Sequence, residues 1–287
     1  MENLERLRAV QFFSRFAANF EMDQLAEFIK NNDMKSIANN NAYKALQDAL
    51  DKEIFYLLEA GTTLYRSRAI DFRNGLFGIE EKNIDGQQQF TGYDELASGA
   101  PPLGLSQPGR SNISGASYLY LAEDEYTACS EIKPDYQQYV SVAKYVTNVP
   151  LKIVDFSSLP SDGKDLPSIQ LQAYFSVYRE CFECPAYSSD VYLVPQFFAE
   201  MVRKNGYDGI CYRSHYSGKK NYTLFHFSEK YIQYNGSRPL FVSHGALRIH
   251  DINAYCDILP PNEPKMPSSD VIRKILLRQI KEETPNG

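Results

Sequence analysis

Thr62-Thr63-Leu64-Tyr65-Arg66-Ser67-Arg68 is where the texture of the chain changes. β-Branched and aromatic residues alternate there with polar ones, the period-two pattern of a strand. That period sends Arg66 and Arg68 to one side of it. The chain before it reads as helical. Leu4, Leu7, Val10, Phe13, Phe16 and Phe20 recur at spacings of three and four, an apolar stripe that calls for a packing partner. A second helix is expected from Asp23, and a third, carrying Ala42, Leu46, Ala49, Leu50, Leu57 and Leu58, is expected to stop at Gly61. Residues 1–61 therefore read as an N-terminal helical extension.

Beyond the strand, residues 72–117 are rich in Gly, Gln, Pro and Ser, the texture of a binding loop or lid. Tyr118–Ala122 is a short apolar strand, and Asp124 caps a helix that runs to about Ile132. Strands are expected at Tyr139–Val146 and Leu151–Phe156, and a helical segment is expected to end near Cys184. Gln196–Lys204 reads as a helix closed by Asn205-Gly206, followed by strands at Gly209–Arg213, Tyr222–Phe227 and within Leu240–Ile252. Ser269–Glu283 reads as a terminal helix. Helices and strands are interspersed and several strands lack long crossovers, which favours an α+β fold. The reading divides the chain into 1–61, a catalytic domain at 62–260, and a helical tail at 261–287.

Composition narrows the function. Thirty basic against 36 acidic residues leave a net charge of -6, which argues against a protein that follows a nucleic-acid backbone by bulk electrostatics. Apolar runs fall short of the roughly 20 residues of a membrane helix, and the first residues lack the order of a secretion signal. Five cysteines are a sparse, odd set for 287 residues, which fits a reducing compartment. The expectation is a cytoplasmic protein that binds neither nucleic acid nor membrane. The 21 Tyr and 17 Phe, with no Trp, give scope for stacking on flat ligands.

Cys181-Phe182-Glu183-Cys184 suggests zinc or redox chemistry at first sight, but no second Cys pair and no spaced His pair accompany it. His215, His226, His244 and His250 show no metalloprotease spacing. Phosphate-loop, dinucleotide and nucleophile-elbow patterns are missing as well. A dispersed set is more informative. Arg66 and Arg68 on one strand face, with Arg110 after Gly109, supply guanidiniums suited to a phosphate or pyrophosphate. Glu131 lies among small residues on the helix after Asp124. Ser214 ends the strand stretch Gly209–Ser214, where a hydroxyl binds a ligand or caps a turn. Singly, each of these residues also reads as an ordinary surface or capping group.

In order, the segments resemble the RES domain family, named for an Arg, a Glu and a Ser. The matching stretches are Leu64–Arg68, Gly109-Arg110-Ser111-Asn112 through Gly115, Tyr118–Ala122, Thr127–Glu131, Leu151–Asp155, Tyr207–Ser214 and Lys220–Phe225. The resemblance implies an ADP-ribosyltransferase-like α+β core with a split, mostly antiparallel sheet. It implies an enzyme, an NAD+ phosphorylase or NAD+ glycohydrolase, of the kind found as toxins of toxin–antitoxin pairs. On that pattern Arg66, Glu131 and Ser214 are the catalytic positions, while Arg68, Arg110, Tyr120 and Asn221 line the NAD+ pocket. Ser111 stands where family members commonly carry Trp, and the stretches 72–108 and 158–190 exceed a compact RES domain.

The chemistry of that resemblance is cleavage of the nicotinamide glycosidic bond. Positive charge builds on the ribose, as in other glycosyl transfers, and a carboxylate such as Glu131 stabilises it most in the transition state. Phosphate is a candidate co-substrate, and nicotinamide leaves as a neutral base, so the resemblance calls for no metal. Expected partners are NAD+, an antitoxin of helix-turn-helix type or another regulator, and a second copy of the chain. Two other readings stand beside this one: a protein ADP-ribosyltransferase, and a catalytically silent module that binds a partner through its helical stripe.

Overall fold

One uninterrupted helix, α1 (Glu2–Lys30), runs straight through Asp23, where a second helix was expected. The reason is local: no Gly or Pro interrupts residues 2–30. The computed structural model describes residues 2–53, 55–70, 80–84, 87–135, 138–160, 163–185, 189–243, 248–251 and 257–258. The expected tail at 261–287, with its helix Ser269–Glu283, lies outside the described residues. The break after α1 comes at Asn32, in the left-handed region at φ 53°. Asp33 then accepts from Ser36 N and caps α2 (Met34–Asn39). Asn40 caps α3 (Asn41–Asp51) through Tyr43 N, and its Nδ2 donates to Glu21 O at 2.8 Å. The third helix thus stops at Asp51. Leu57 and Leu58 belong instead to β1 (Tyr56–Leu58).

Gly61, at φ 82°, makes the turn into β2 (Thr63–Ala69). The Gly- and Gln-rich stretch then holds β3 (Glu80–Ile84), β4 (Gln87–Thr91) and α4 (Glu95–Ser98). β5 (Leu119–Ala122), α5 (Glu125–Glu131), β6 (Tyr139–Thr147) and β7 (Leu151–Asp155) follow where their patterns place them. α6 (Leu166–Glu183) leads to α7 (Leu193–Lys204), which starts three residues before the expected Gln196. β8 (Gly209–Arg213) is as expected. β9 (Lys220–Leu224) begins and ends earlier than the expected Tyr222–Phe227. β10 (Ile232–Ser243), β11 (Arg248–Asp251) and β12 (Asp257–Ile258) complete the described chain.

Two compact units emerge. In the first, formed by residues 1–60, 100–120 and 149–227, β7 pairs antiparallel with β1 and parallel with β8, and β8 pairs antiparallel with β9. α1, α2, α3, α6 and α7 share one core with this sheet, built on Leu25, Leu46, Phe156, Phe175, Tyr178, Phe182, Phe198 and Ile210. The hydroxyls of Tyr178 and Tyr207 donate to Ala42 O and Leu50 O, at 2.6 and 2.7 Å, and so tie α3 to that core.

The second unit takes residues 61–99 and 121–148 and the described residues from 228 onward. There β6 pairs antiparallel with β2 and β10, β10 with β11, β11 with β12, and β3 with β4. α5 covers one face over Cys129, Val140, Val142, Leu240 and Val242. The architecture is the expected α+β one, with mostly antiparallel pairing and helices at the N-terminus. The apolar stripe of α1 departs from expectation. Ala18, Met22 and Leu25 face the core, whereas Phe13 and Phe16, on the opposite side of the helix, are 67% and 68% exposed. The stripe at spacings of three and four is real, but it is not the buried one.

This division predicts opposite outcomes for two phenylalanines. Phe182→Ala, inside the stacked rings of Phe156 and Tyr212, should cost about 3–5 kcal/mol. Phe16→Ser should stay within about 0.5 kcal/mol of the parent. Urea denaturation of both variants checks the assignment.

Candidate functional site

β2 sets the geometry of the second unit's cluster. Ser67 Oγ lies 3.4 Å from Cys129 Sγ of α5, and Tyr65 packs against the same helix cluster. Alternation therefore sends Arg66 and Arg68 to the other face. Their cross-strand neighbours on β6 are Ala143 and Ser141, small residues that leave space for the guanidinium stems. Arg68 Nη2 donates to Gly99 O at 2.7 Å, while its Nε is buried with no hydrogen-bond partner among the described residues. Tyr145 lies on this face too, opposite Leu64. Burial pushes its phenol up to about 12, with the charge of Arg66 pulling the other way.

The chain around Gly92 presses onto the same face. A Cβ at Gly92 would meet Ser141 Oγ at 2.4 Å and Ser237 Oγ at 2.7 Å. Only glycine allows that approach. Tyr93 N donates to Ser141 Oγ at 2.8 Å, and Ser237 Oγ donates to Tyr93 O at 2.5 Å. Glu131 is the last residue of α5 and is exposed. Its helix is held by the Asp124 cap on Thr127 N at 2.7 Å and by Glu125, which accepts from Arg238 Nε at 3.1 Å.

In the first unit, Tyr120 is joined to the Ser111-Asn112 turn that follows Arg110. The Tyr120 hydroxyl donates to Asn112 Oδ1 at 2.6 Å and accepts from Ser111 N at 2.9 Å. Asn112 Nδ2 donates to the carbonyls of Gln107, Ile113 and Ala116, at 3.0, 3.0 and 3.1 Å. The amide's orientation is thus dictated, because a backbone N–H can only donate and a carbonyl can only accept. A Cβ at Gly109 would sit 2.6 Å from Asn112 Oδ1. Arg110 itself donates through Nη1 to Cys184 O at 2.7 Å and lies 5.8 and 5.9 Å from the rings of Tyr192 and Tyr212. Among the described contacts its guanidinium braces the end of α6.

Ser111 Oγ approaches Thr223 Oγ1 at 3.3 Å, and by alternation along β9 the buried Asn221 shares that face. Ser214 is buried. Its Oγ accepts from Tyr216 N and Ser217 N, at 3.2 and 3.3 Å, so the hydroxyl caps the turn after β8. The opposite face of β8 holds a group that carried no role in the sequence reading. Asp155 accepts from Ser157 Oγ at 2.6 Å, Cys211 Sγ at 3.2 Å and Lys220 Nζ at 2.9 Å. An Asp closing a strand, with Ser157 and Ser158 after the intervening Phe156, was the available signal. Asn112 was likewise visible only as part of a matching stretch. Among the described residues no cluster of three or more His, Cys, Asp or Glu has metal-holding geometry. Cys181 and Cys184 end α6 as free thiols.

A family model described as RES domain matches residues 85–241. Arg110, Tyr120, Glu131, Ser214 and Asn221 fall inside that span, and Arg66 and Arg68 precede it. No curated protein matches the chain. Among solved structures, the crystal structure of the M. tuberculosis MbcT–MbcA toxin–antitoxin complex is similar at 12% identity and a TM-score of 0.37, covering 70% of this chain and 94% of that one.

Two outcomes follow from these contacts. Asn112→Asp turns an amide that donates to three carbonyls into a carboxylate facing them. It should lower stability by about 1–3 kcal/mol and speed amide exchange at Ser111, both measurable on the purified chain. At Asp155 burial raises the carboxyl's pKa, but the bonds from Ser157 and Lys220 outweigh burial and hold it below its ordinary value. Its contribution to stability is present above the unfolded value of about 3.9 and is lost as pH falls through the depressed folded one. Asp155→Asn should therefore be less stable at pH 7 and lose less on acidification, as read by denaturation at stepped pH.

Proposed function

Because this chain belongs to the RES domain family, we propose that it consumes NAD+, cleaving the nicotinamide glycosidic bond by phosphorolysis or hydrolysis. The observation that carries the reading is the family match over more than half the chain, which includes the segments bearing Arg110, Tyr120, Glu131, Ser214 and Asn221. In this proposal Glu131 faces the ribose as positive charge develops on it, so that its carboxylate is worth more in the transition state than in the ground state. Arg66 and Arg68 hold phosphoryl oxygens, for which guanidinium geometry is suited. Tyr120 stacks on the nicotinamide ring. Ser214 and Asn221 orient the adjoining ribose, which is the entropic part of the work.

The geometry adds two details in support. The Arg68 Nε is a buried donor with no hydrogen-bond partner among the described residues, as expected of a group that meets an anion only when substrate is present. Arg110 is a further pocket residue in this proposal, its guanidinium held in place by Cys184 O and two tyrosine rings. The proposal extends to biology: a toxin acting on the NAD+ pool and neutralised by an antitoxin, for which a helix-turn-helix protein is the candidate. Inorganic phosphate is the proposed co-substrate where the reaction is phosphorolysis.

Proton NMR of NAD+ incubated with the protein, with and without phosphate, tests this. The native chain should release nicotinamide, and Arg66→Ala and Glu131→Ala should each slow release by about 100-fold or more. Intact NAD+ under all conditions would overturn the proposal. A stable ADP-ribosyl mark on a protein, without free ADP-ribose products, would replace it with protein ADP-ribosylation.

A further inference from the structure

β6 buries a hydroxyl that the fold does not use. Tyr145 is 5% exposed, and its hydroxyl is buried with no hydrogen-bond partner among the described residues. An unmade bond of this kind destabilises the folded chain, and a phenylalanine at the same position would avoid the loss. Tyr145 shares the face of Arg66 and Arg68, and both arginine charges act on its phenol. The ring of Tyr234 packs edge-on against it at 5.8 Å between centroids. Glu95 is the acid that acts on it, with the smallest effect of the groups involved. Burial keeps the phenol protonated far above neutral pH, so the hydroxyl remains a donor under working conditions.

The Arg68 Nε is a second buried donor in the same condition, although Arg68 Nη2 is bonded to Gly99 O. Two donors without acceptors, beside two positive charges, call for a ligand atom that accepts hydrogen bonds and carries negative charge. A neutral carbonyl would satisfy the donors and leave the charges uncompensated.

We propose that Tyr145 is a substrate-contacting residue that donates its hydroxyl to a phosphoryl oxygen held at Arg66 and Arg68. This rests on the reading of the chain as an enzyme that acts on NAD+. It adds a residue that the sequence pattern does not mark. The phosphoryl oxygen has two sources, the pyrophosphate of NAD+ and inorganic phosphate.

Tyr145→Phe is the decisive variant, because a purely structural tyrosine and a ligand-binding one predict different results. The variant should melt at or above the native temperature, since it removes a buried group without a partner. If the oxygen belongs to NAD+, KM for NAD+ should rise about ten- to hundredfold, the worth of one hydrogen bond to a charged group. If it belongs to inorganic phosphate, KM for NAD+ should hold while the phosphate concentration for half-maximal rate rises by that factor. Thermal shift of the native chain by pyrophosphate and by phosphate supplies an arm that needs no turnover, and Tyr145→Phe should lose the shift. Arg68→Lys, which keeps the charge but removes Nε, should weaken it as well. Native KM, native phosphate dependence and native thermal shifts in Tyr145→Phe would sink the proposal while leaving NAD+ cleavage intact. A native chain that leaves NAD+ untouched, but whose pyrophosphate shift requires Tyr145, would sink the enzymatic reading and keep the anion site.

Discussion

Everything in the second unit depends on which way β2 faces. Its side chains alternate, so the contact of Ser67 with Cys129 and the packing of Tyr65 under α5 oblige Arg66 and Arg68 to lie on the other side. A slip of one residue against β6 would put two guanidiniums into the cluster of Val140, Val142, Leu240 and Val242. Burying unpaired charge there is prohibitive, so the register is enforced by the cost of the alternative. The same logic continues into β10, where pairing with β6 shifts between Tyr234 and Ser237. Gly236, at φ 82°, sits in that irregularity. The shift lets Tyr234 and Ser237 both donate to Tyr93 O, at 2.9 and 2.5 Å, and so fastens the Gly92 segment over the arginine face.

The first unit solves a different problem, that of holding a stretch without regular structure between residues 101 and 117. Paired backbone bonds close its base, Gly104 N to Gly115 O and Gly115 N to Ser106 O, both at 2.9 Å. Further in, Gly109 N donates to Asn112 O at 2.9 Å, and Gln196 of α7 donates to Gly109 O at 2.7 Å. The side chain of Asn112 then supplies the bonds that a strand neighbour would otherwise provide. A short polar side chain can do this because its amide offers donors and an acceptor at fixed angles. The loop is a built object, and its Leu103, Leu105 and Ile113 project from it into solvent.

Much of the fold was legible because its signals are local. Asp124 was read as a cap and is one, Asn205-Gly206 ends α7, and the strands at Leu119, Tyr139, Leu151 and Gly209 begin where or close to where alternation and apolar runs place them. Asp23 misled because a cap residue resembles a helix-interior aspartate until the chain around it is known to turn. Leu57 and Leu58 misled because short apolar runs fit either period. The stripe of Phe13, Phe16 and Phe20 shows that periodicity reports an apolar face and not what covers it. The candidate site residues Arg66, Arg68, Arg110, Tyr120, Glu131, Ser214 and Asn221 came from the resemblance to the family. Asp155 and Tyr145 were not singled out, because their importance lies in contacts with residues far along the chain, Lys220 and Tyr234; Asn112 was not, because its role lies in the turn it organises.

The tyrosines show why such contacts decide function. A chain with 21 of them and no Trp suggests ring stacking on ligands, yet in the fold the hydroxyl is as important as the ring. Tyr178, Tyr207 and Tyr234 each donate to a backbone carbonyl, Tyr120 organises the Asn112 loop, and Tyr118 donates to Glu200. A buried tyrosine that staples two segments returns the desolvation cost of its hydroxyl through the bond it makes. Against that pattern, the hydroxyls of Tyr56 and Tyr145 are buried with no well-formed hydrogen bond among the described residues. Tyr56 lies with its ring 4.9 Å from Lys220 Nζ, and its phenol interacts with Cys211 and Tyr222 of the same sheet. Tyr145 has no such cation over its ring among the described contacts, and both positive charges that act on it, Arg66 and Arg68, come from β2. A protein that satisfies its tyrosines this consistently leaves the exception at the place where something else is meant to complete it.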